Sequence, residues 1–168
     1  MRGFQLWLNL PSKEKMKPAS YRDIPAGEIP VAKLAGGGEV RVIAGRFGDT
    51  AGPVNGATPL TTDPLYLDVH LPAGAAFSGP ITKGHNAFLY AYEGNAKIGG
   101  HELPHRAAGL LSDGDTVAVT AGADGARFLL LAARPLREPV VQYGPFVMNT
   151  RDEIEQAIHD YNEGTLAA

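Results

Sequence analysis

Apolar and polar residues alternate in short runs along most of the chain, which is the pattern of half-buried β-strands. The first run extends from Phe4 to Leu10, with leucines on one face and Trp7 on the other. We call Phe4, Leu6, Trp7 and Leu8 the pairing edge. A strand needs a hydrogen-bonded neighbour, so an exposed apolar edge of this kind predicts pairing with another chain or with a second copy.

A polar stretch with several prolines, residues 11–38, follows and is interpreted as a connector. Beyond it, short apolar runs recur about every ten residues between turn-forming sequences, which is typical of an antiparallel sandwich or barrel. Asp113-Gly114 and Asp124-Gly125 have the composition of hairpin turns. The strands predicted in this part are Glu39 to Ala44, Leu65 to Leu71, Phe88 to Tyr92, Lys97-Ile98, Leu110-Leu111, Thr116 to Thr120 and Arg127 to Ala132. The pattern predicts a mainly β jelly roll.

The spacing of apolar residues changes near the C-terminus, where one α-helix is predicted. Thr150 is a suitable N-cap, and Glu153, three residues on, completes a capping box. Ile154, Ala157, Ile158 and Tyr161 then form one apolar stripe at helical spacing. Gly164 suits the left-handed residue that ends a helix. The fold class predicted is therefore an antiparallel β-barrel followed by a C-terminal helix.

Three stretches resemble the pirin family, whose members contain two cupin barrels in one chain. They are EPVVQYGPFVMNTRDEIEQAIHDYNEG from Glu138, RGFQLWLNLPSKEKMKPASYRDIP at residues 2–25, and the stretch from Asp63 to Gly94 that ends in GPITKGHNAFLYAYEG. They follow one another in the order that the family has. The resemblance implies a cupin-type barrel over residues 39–168 with its terminal helix, preceded at residues 1–38 by a residual strand of the first barrel and the connector.

Composition and charge mainly exclude certain functions and structural features. The formal net charge of −3 gives no electrostatic reason to expect direct binding of nucleic acid. The absence of cysteine excludes disulfides and thiol chemistry and fits a cytoplasmic protein. No apolar run has the length of a membrane span, so no membrane association is expected. The 168 residues suffice for one domain with a sizeable core, or for one domain and a fragment of another.

The positions at which cupins hold their metal ion carry unsuitable residues in this sequence. Relative to the strand that ends in Glu93-Gly94, the ligand positions fall near Ile81, Lys83 and Ala87, none of which suits a metal. His85 is close but alone. The resemblance implies that the family's iron is bound in the first barrel by a His-x-His and a His-x-Glu pair, and neither pair occurs in this sequence. We therefore predict a metal-free barrel with no catalytic, cofactor-binding or metal-binding residues of its own.

Two further groups of residues suggest chemistry. His101-Glu102-Leu103-Pro104-His105 matches the His-Glu-x-x-His motif of zinc proteases. That motif functions on a helix, whereas Gly99-Gly100 precedes it and Pro104 lies inside it, so a hairpin loop with two solvated histidines is predicted instead. Asp68 and His70 share a strand face but lack an identifiable nucleophile. They are interpreted as part of a polar outer face, without a hydrogen bond between them.

Two functional hypotheses from different classes follow, with a third that is weaker. The first is a metal-free cupin half that acts as a structural or interaction module. The second is half of a split, iron-dependent bicupin dioxygenase, similar to quercetin 2,3-dioxygenase, whose metal barrel is supplied by another chain. The partners expected are thus an N-terminal cupin, or a second copy that pairs through residues 4–10. The third is a jelly roll that binds a sugar or flavonoid without chemistry.

Overall fold

A computed structural model describes residues 3–56 and 60–166 as a mainly β protein with one C-terminal helix. Two short 3-10 helices lie at Ser12–Glu14 and Ala26–Glu28. The strands are β1 (Val31–Lys33), β2 (Glu39–Ala44), β3 (Arg46–Phe47), β4 (Thr50–Ala51), β5 (Leu65–Leu71), β6 (Ala76–Pro80), β7 (Asn86–Ile98), β8 (His101–Leu103), β9 (Ala107–Leu110), β10 (Thr116–Ala133), β11 (Val141–Tyr143) and β12 (Phe146–Met148), and the helix is α1 (Arg151–Asn162).

The main sheet has eight antiparallel strands and is organised around β10. Its order is β1-β2-β5-β10-β7-β8, while β6 pairs with β10 and β9 pairs with β7. The first part of β10 pairs with β6 and the second part with β5, and β7 lies along its other side. The long strands β7 and β10 therefore pair with each other and with β5, β6, β8 and β9.

The structure corrects the predicted strand boundaries near Asp124-Gly125. This pair is not a hairpin turn, because it lies inside β10, which continues from Thr116 to Ala133. The four residues 122–125 of β10 instead bulge out opposite the single residue Asn95 of β7. Lys97-Ile98, predicted as a separate strand, is the end of β7. A bulge and a hairpin use the same turn-forming residues, so local composition could not distinguish them.

The inward-facing residues of the sheet form one apolar core. Phe77, Phe128, Leu67, Leu89 and Leu130 are its largest fully buried side chains. Valines on β2, β5 and β10 pack among them. Phe88, Tyr90 and Tyr92 are half-buried on one face of β7, while Leu89 and Ala91 on its other face are buried. The interior is thus a packed core, with polar and aromatic side chains on the outer face.

The chain divides into two compact units, residues 24–135 and a second unit that combines residues 3–23 with 136–166. The predicted boundary after residue 38 does not coincide with an edge of either unit, and β1 lies inside the predicted connector. In the second unit β11 and β12 form a hairpin around Gly144, and α1 packs on it. No helix in the described ranges is long and apolar enough to cross a membrane.

The predicted strand from Phe4 to Leu10 is not formed. In the structure residues 3–11 carry no strand pairing, and the N-terminal segment is held by polar contacts within its own unit. The Ser12 amide donates to Glu138 Oε2 (2.8 Å), and Lys15 Nζ donates to the carbonyl of Val147 (2.8 Å). The alternation that suggested a strand reflects one apolar side of an extended segment, because periodicity does not specify whether a hydrogen-bonded neighbour exists.

Candidate functional site

The interior of a cupin-type barrel is the place where such a fold can hold a metal ion. The residues that face inward on β2, β5, β7 and β10 are apolar and buried. Among the described residues no group of three or more His, Cys, Asp or Glu side chains converges on a point. His85 and Asp63 approach each other at 3.7 Å, but they make only a pair. These residues do not fit the iron site of a cupin.

The His-Glu-x-x-His sequence does not form a helix. His101 and Glu102 lie on β8, and Pro104-His105 is a turn before β9. Both histidines are exposed. The His105 ring contacts the carbonyl oxygen of Tyr92 (3.1 Å), so it is hydrogen-bonded as well as solvated. The spacing of this sequence therefore does not bring the two imidazoles to one zinc ion.

A polar cluster on the outer face of the sheet contradicts the prediction that Asp68 and His70 do not interact. His70 Nε2 lies 3.1 Å from both carboxylate oxygens of Asp68. The Tyr92 hydroxyl donates to Asp68 Oδ1 (2.7 Å) and lies 2.9 Å from His70 Nε2. Because this hydroxyl proton points to Asp68, the His70 ring serves as the donor toward the Asp68–Tyr92 pair.

A β-bulge explains how Tyr92 reaches the other two residues. Arg127 pairs with Glu93 and Phe128 pairs with Ala91, so Tyr92 is the extra residue of β7 at this point. A bulge re-aims the side chain that it carries, here across β10 toward β5. Burial and the bond to Asp68 raise the pKa of Tyr92, which keeps the phenol protonated as a donor. A bulge position is not visible in the alternation of residues, which is why this cluster was missed.

Glu39 connects the cluster to two cations. Its carboxylate accepts from Lys33 Nζ (2.6 Å) and Arg41 Nη2 (3.1 Å), and these bonds lower the pKa of Glu39. His70 Nδ1 lies 3.6 Å from Glu39 Oε1, on the ring edge opposite Asp68. Both ring nitrogens of His70 thus face carboxylates. The arrangement lacks a nitrogen directed at solvent, so it resembles a structural network more than a catalytic base.

The pairing edge is an exposed apolar surface of the second unit. Its residues are exposed, and Trp7 is 72% exposed. Met16, 61% exposed, borders a cleft of about 390 Å³ that Trp7 and Leu8 line together with Phe146 and Val147 of β12. Large exposed apolar residues grouped in this way mark interaction surfaces. The predicted role of Phe4, Leu6, Trp7 and Leu8 in pairing remains a prediction, now without a β-strand as its basis.

Comparison with known proteins assigns the chain to a family. The Pirin C-terminal cupin domain family matches residues 66–167, which is more than half of the chain. The chain belongs to the pirin family. This confirms the resemblance seen in the sequence, together with the expected fold: mainly β, antiparallel and with one C-terminal helix.

Individual pirin relatives share much of the sequence. A putative quercetin 2,3-dioxygenase of Pseudomonas aeruginosa is 48% identical over 99% of this chain and 60% of its own length. Human pirin is 42% identical over 95% of this chain and 55% of its own length. The crystal structure of a quercetin 2,3-dioxygenase from Acinetobacter baumannii superposes with a TM-score of 0.85 at 34% identity, covering 96% of this chain and 56% of that one. The chain thus spans little more than half the length of these relatives.

Proposed function

We propose that this chain is the structural and interaction half of a two-cupin pirin, and that a separate metal-bearing cupin is its partner. The observation that carries the proposal is the packed interior. Positions that could present ligands to an ion are occupied by valine, leucine, alanine and phenylalanine, several with no exposed surface. Such a core stabilises the fold by burying apolar area and leaves no room for a substrate beside a metal.

The exposed pairing edge supports the interaction part of the proposal. About 40% of the Pseudomonas relative has no counterpart in this chain, since the match covers 60% of it. A partner cupin of the pirin type is the occupant that we propose for this surface. Apolar contact area would dominate the association, with the large Trp7 side chain as its anchor.

Metal analysis of the purified full chain tests the proposal directly. The chain is expressed with iron, nickel and zinc in the medium, dialysed, and analysed by mass spectrometry for metal content per chain. We expect substoichiometric metal and no change in melting temperature when each ion is added. One tightly held equivalent of any of these metals would overturn the proposal.

A second candidate is a split dioxygenase, favoured by the 48% identity to a putative quercetin 2,3-dioxygenase. In this case the present chain completes an active enzyme whose metal residues lie in the other cupin. The test mixes this chain with the separately expressed remainder of the Pseudomonas relative and follows quercetin consumption and oxygen uptake. Activity in the mixture, and in neither component alone, would support it. An equally active remainder without this chain would exclude it.

A further inference from the structure

The sequence contains one asparagine that is followed by glycine, Asn55-Gly56. In such a pair the backbone nitrogen of the glycine can attack the side-chain amide of the asparagine, because glycine has no side chain to hinder the approach. A bond forms between this nitrogen and Cγ, the bond between Cγ and Nδ2 breaks, and ammonia leaves a five-membered succinimide ring. Water then opens the ring to aspartate or isoaspartate. Apart from water and a base that removes the glycine N–H proton, the reaction needs no other reactant.

The local backbone favours both residues of this labile pair. Asn55 has φ +55°, a left-handed conformation that asparagine adopts more readily than most other residues. A Cβ placed on Gly56 would lie 2.2 Å from the carbonyl oxygen of Gly52, so no side chain fits there. The backbone before the pair is fixed as well, since the carbonyl of Val54 accepts from the Gly45 amide (2.8 Å). The fold therefore retains a sequence that is chemically labile.

Three hydrogen bonds hold the Asn55 side chain in the folded protein. Nδ2 donates to Asp63 Oδ1 (2.9 Å) and to the carbonyl of Pro64 (3.0 Å). Oδ1 accepts from the Leu60 amide (2.6 Å). Both protons of the side-chain amide are thus in use, together with one lone pair of its oxygen. Ring closure converts the planar Cγ into a tetrahedral centre and expels Nδ2, so the side chain has to give up these contacts before it can react.

We propose that Asn55 is a deamidation site that these three bonds protect, and that its modification loosens the chain around it. Deamidation proceeds from the minor population in which Asn55 has separated from residues 60–64, so its rate follows this local opening equilibrium. The site lies in the larger unit and the pairing edge in the second unit, so the proposal does not depend on the proposed function.

The product of the reaction disfavours the contacts that protected the asparagine. An aspartate at this position places a carboxylate oxygen where Nδ2 donated to Asp63. Two carboxylates at hydrogen-bond distance repel each other. The carbonyl of Pro64 loses its donor at the same time. Each modified molecule therefore keeps a weakened connection between Asn55 and residues 60–64.

Peptide mapping by mass spectrometry tests the protection. The full chain is incubated at mildly alkaline pH, once folded and once in concentrated urea, and the peptide that contains Asn55 is followed over time. Its conversion to aspartate and isoaspartate is measured by the gain in mass and by labelling with an isoaspartyl methyltransferase. We expect the folded chain to react at least about tenfold more slowly. Equal rates in the two conditions, or no reaction at Asn55 in urea, would overturn the proposal.

Two variants at position 63 separate protection by hydrogen bonding from a general effect of the fold. Asp63→Gly removes the acceptor of Asn55 Nδ2 without strain, since φ is +45° here, and should raise the rate in the folded chain about fivefold or more. Asp63→Asn is the matched control, because it keeps a side-chain oxygen and should react at nearly the wild-type rate. Equal rates in the two variants would contradict the protection by Asp63.

If Asp63→Gly fails to fold, hydrogen exchange of the Leu60 amide in the wild-type chain carries the test. This amide donates to Asn55 Oδ1, so it should be protected in the folded protein. Exchange as fast as in an unfolded chain would show that the Asn55 side chain does not hold residues 60–64.

The variant Asn55→Asp tests the effect of the modification itself. It carries the carboxylate of the product, and we expect its melting temperature to be lower by about 5 °C. Asn95→Asp is the matched control, because Asn95 Oδ1 accepts from the His105 amide (2.9 Å) and a carboxylate can accept the same bond. That variant should melt with the wild-type chain. An unchanged melting temperature of Asn55→Asp would contradict the loosening that we propose.

Discussion

At the scale of single residues, two glycines allow a close backbone approach where β7 and β10 bulge. Gly94 has φ +67°, and a Cβ placed on it would lie 2.1 Å from the carbonyl oxygen of Gly125. Gly125 itself has φ +79°, with its own Cβ position 2.7 Å from the carbonyl oxygen of Leu71. Glycine is required here by both conformation and space.

Replacing Gly94 by alanine should therefore destabilise the protein strongly. We expect a loss of about 3 kcal/mol or more in the free energy of unfolding, because strain and a backbone clash add together. Gly84→Ala is the matched control: its φ is +80°, but nothing lies within 4 Å of the added Cβ. That variant should lose only about 1–2 kcal/mol. Urea unfolding measures both, and equal losses would contradict the clash.

His85 gives a prediction for the dependence of stability on pH. Its pKa is lowered by burial in the folded state, while the unfolded state keeps the ordinary value near 6.5. Below pH 6.5 the unfolded chain therefore binds a proton that the folded chain does not, and stability falls as the pH falls toward the folded pKa. Asp63 opposes this effect, and Arg134 adds to it.

The stability of the His85→Gln variant should fall less steeply than that of the wild-type chain as the pH is lowered. Melting temperatures between pH 7.5 and 5 are compared for the wild-type chain, His85→Gln, and the exposed-histidine control His101→Gln. The expected result is a smaller decrease for His85→Gln alone. A decrease of the same size in all three proteins would show that His85 is not the group responsible.

At the scale of elements, the sequence predicted the contacts of the helix better than those of the sheet. The capping box forms as predicted: Glu153 Oε2 accepts from the Thr150 amide (2.8 Å), and the Glu153 amide donates to Thr150 Oγ1 (3.2 Å). Such bonds join residues three apart, so they are visible in the sequence. Tyr92 and Asp68 are 24 residues apart and meet only because of a bulge. Contacts of that kind require knowledge of the register.

The Tyr92 bulge gives a prediction for the stability of the sheet. Tyr92→Phe removes the donor to Asp68 and leaves a half-buried carboxylate with less compensation, which should cost about 1–2 kcal/mol. Tyr66→Phe is the control, since Tyr66 is a half-buried tyrosine on the same face of β5 as Asp68. It should be nearly neutral. Chemical denaturation of both variants measures the free energy of unfolding. A Tyr92→Phe variant as stable as the wild-type chain would show that the cluster contributes no stability.

At the scale of the whole molecule, the family and fold class were predictable, whereas the role of the N-terminal segment was not. The strands and the helix were predictable because hydrophobic periodicity is determined by burial, and the family was predictable because three stretches of the sequence resemble pirins. The segment from Phe4 to Leu10 has the same periodicity but no strand pairing. Its residues alternate because one side is apolar, and only the three-dimensional structure distinguishes this case from a strand.

Association through the pairing edge is testable with a single probe. The chain has one tryptophan, Trp7, so 5-fluorotryptophan labelling gives one fluorine signal from the edge itself. We expect that signal to shift when the separately expressed remainder of the Pseudomonas relative is added, because Trp7 leaves water. Dilution of the labelled chain alone separates self-association from this binding.

Charge introduced into the edge should abolish that shift. Leu6→Asp is expected to weaken binding at least tenfold, since a carboxylate would be desolvated in an apolar contact. Tyr21→Asp is the control, because Tyr21 is 91% exposed and lies outside the edge. Two results would count against the pairing edge as an interaction surface. One is a fluorine signal of the unmutated chain that does not change when the partner is added, and the other is equal binding by both variants.

The connectivity of β10 determines when the larger unit can be completed during translation. This strand pairs with β5, β6 and β7, all of which are synthesised before it. Until residues 116–133 leave the ribosome, the earlier strands lack their common neighbour and expose unpaired backbone edges. Since such non-local pairing is slow to form, nascent chains halted before β10 should be the species most prone to aggregate and to need a chaperone.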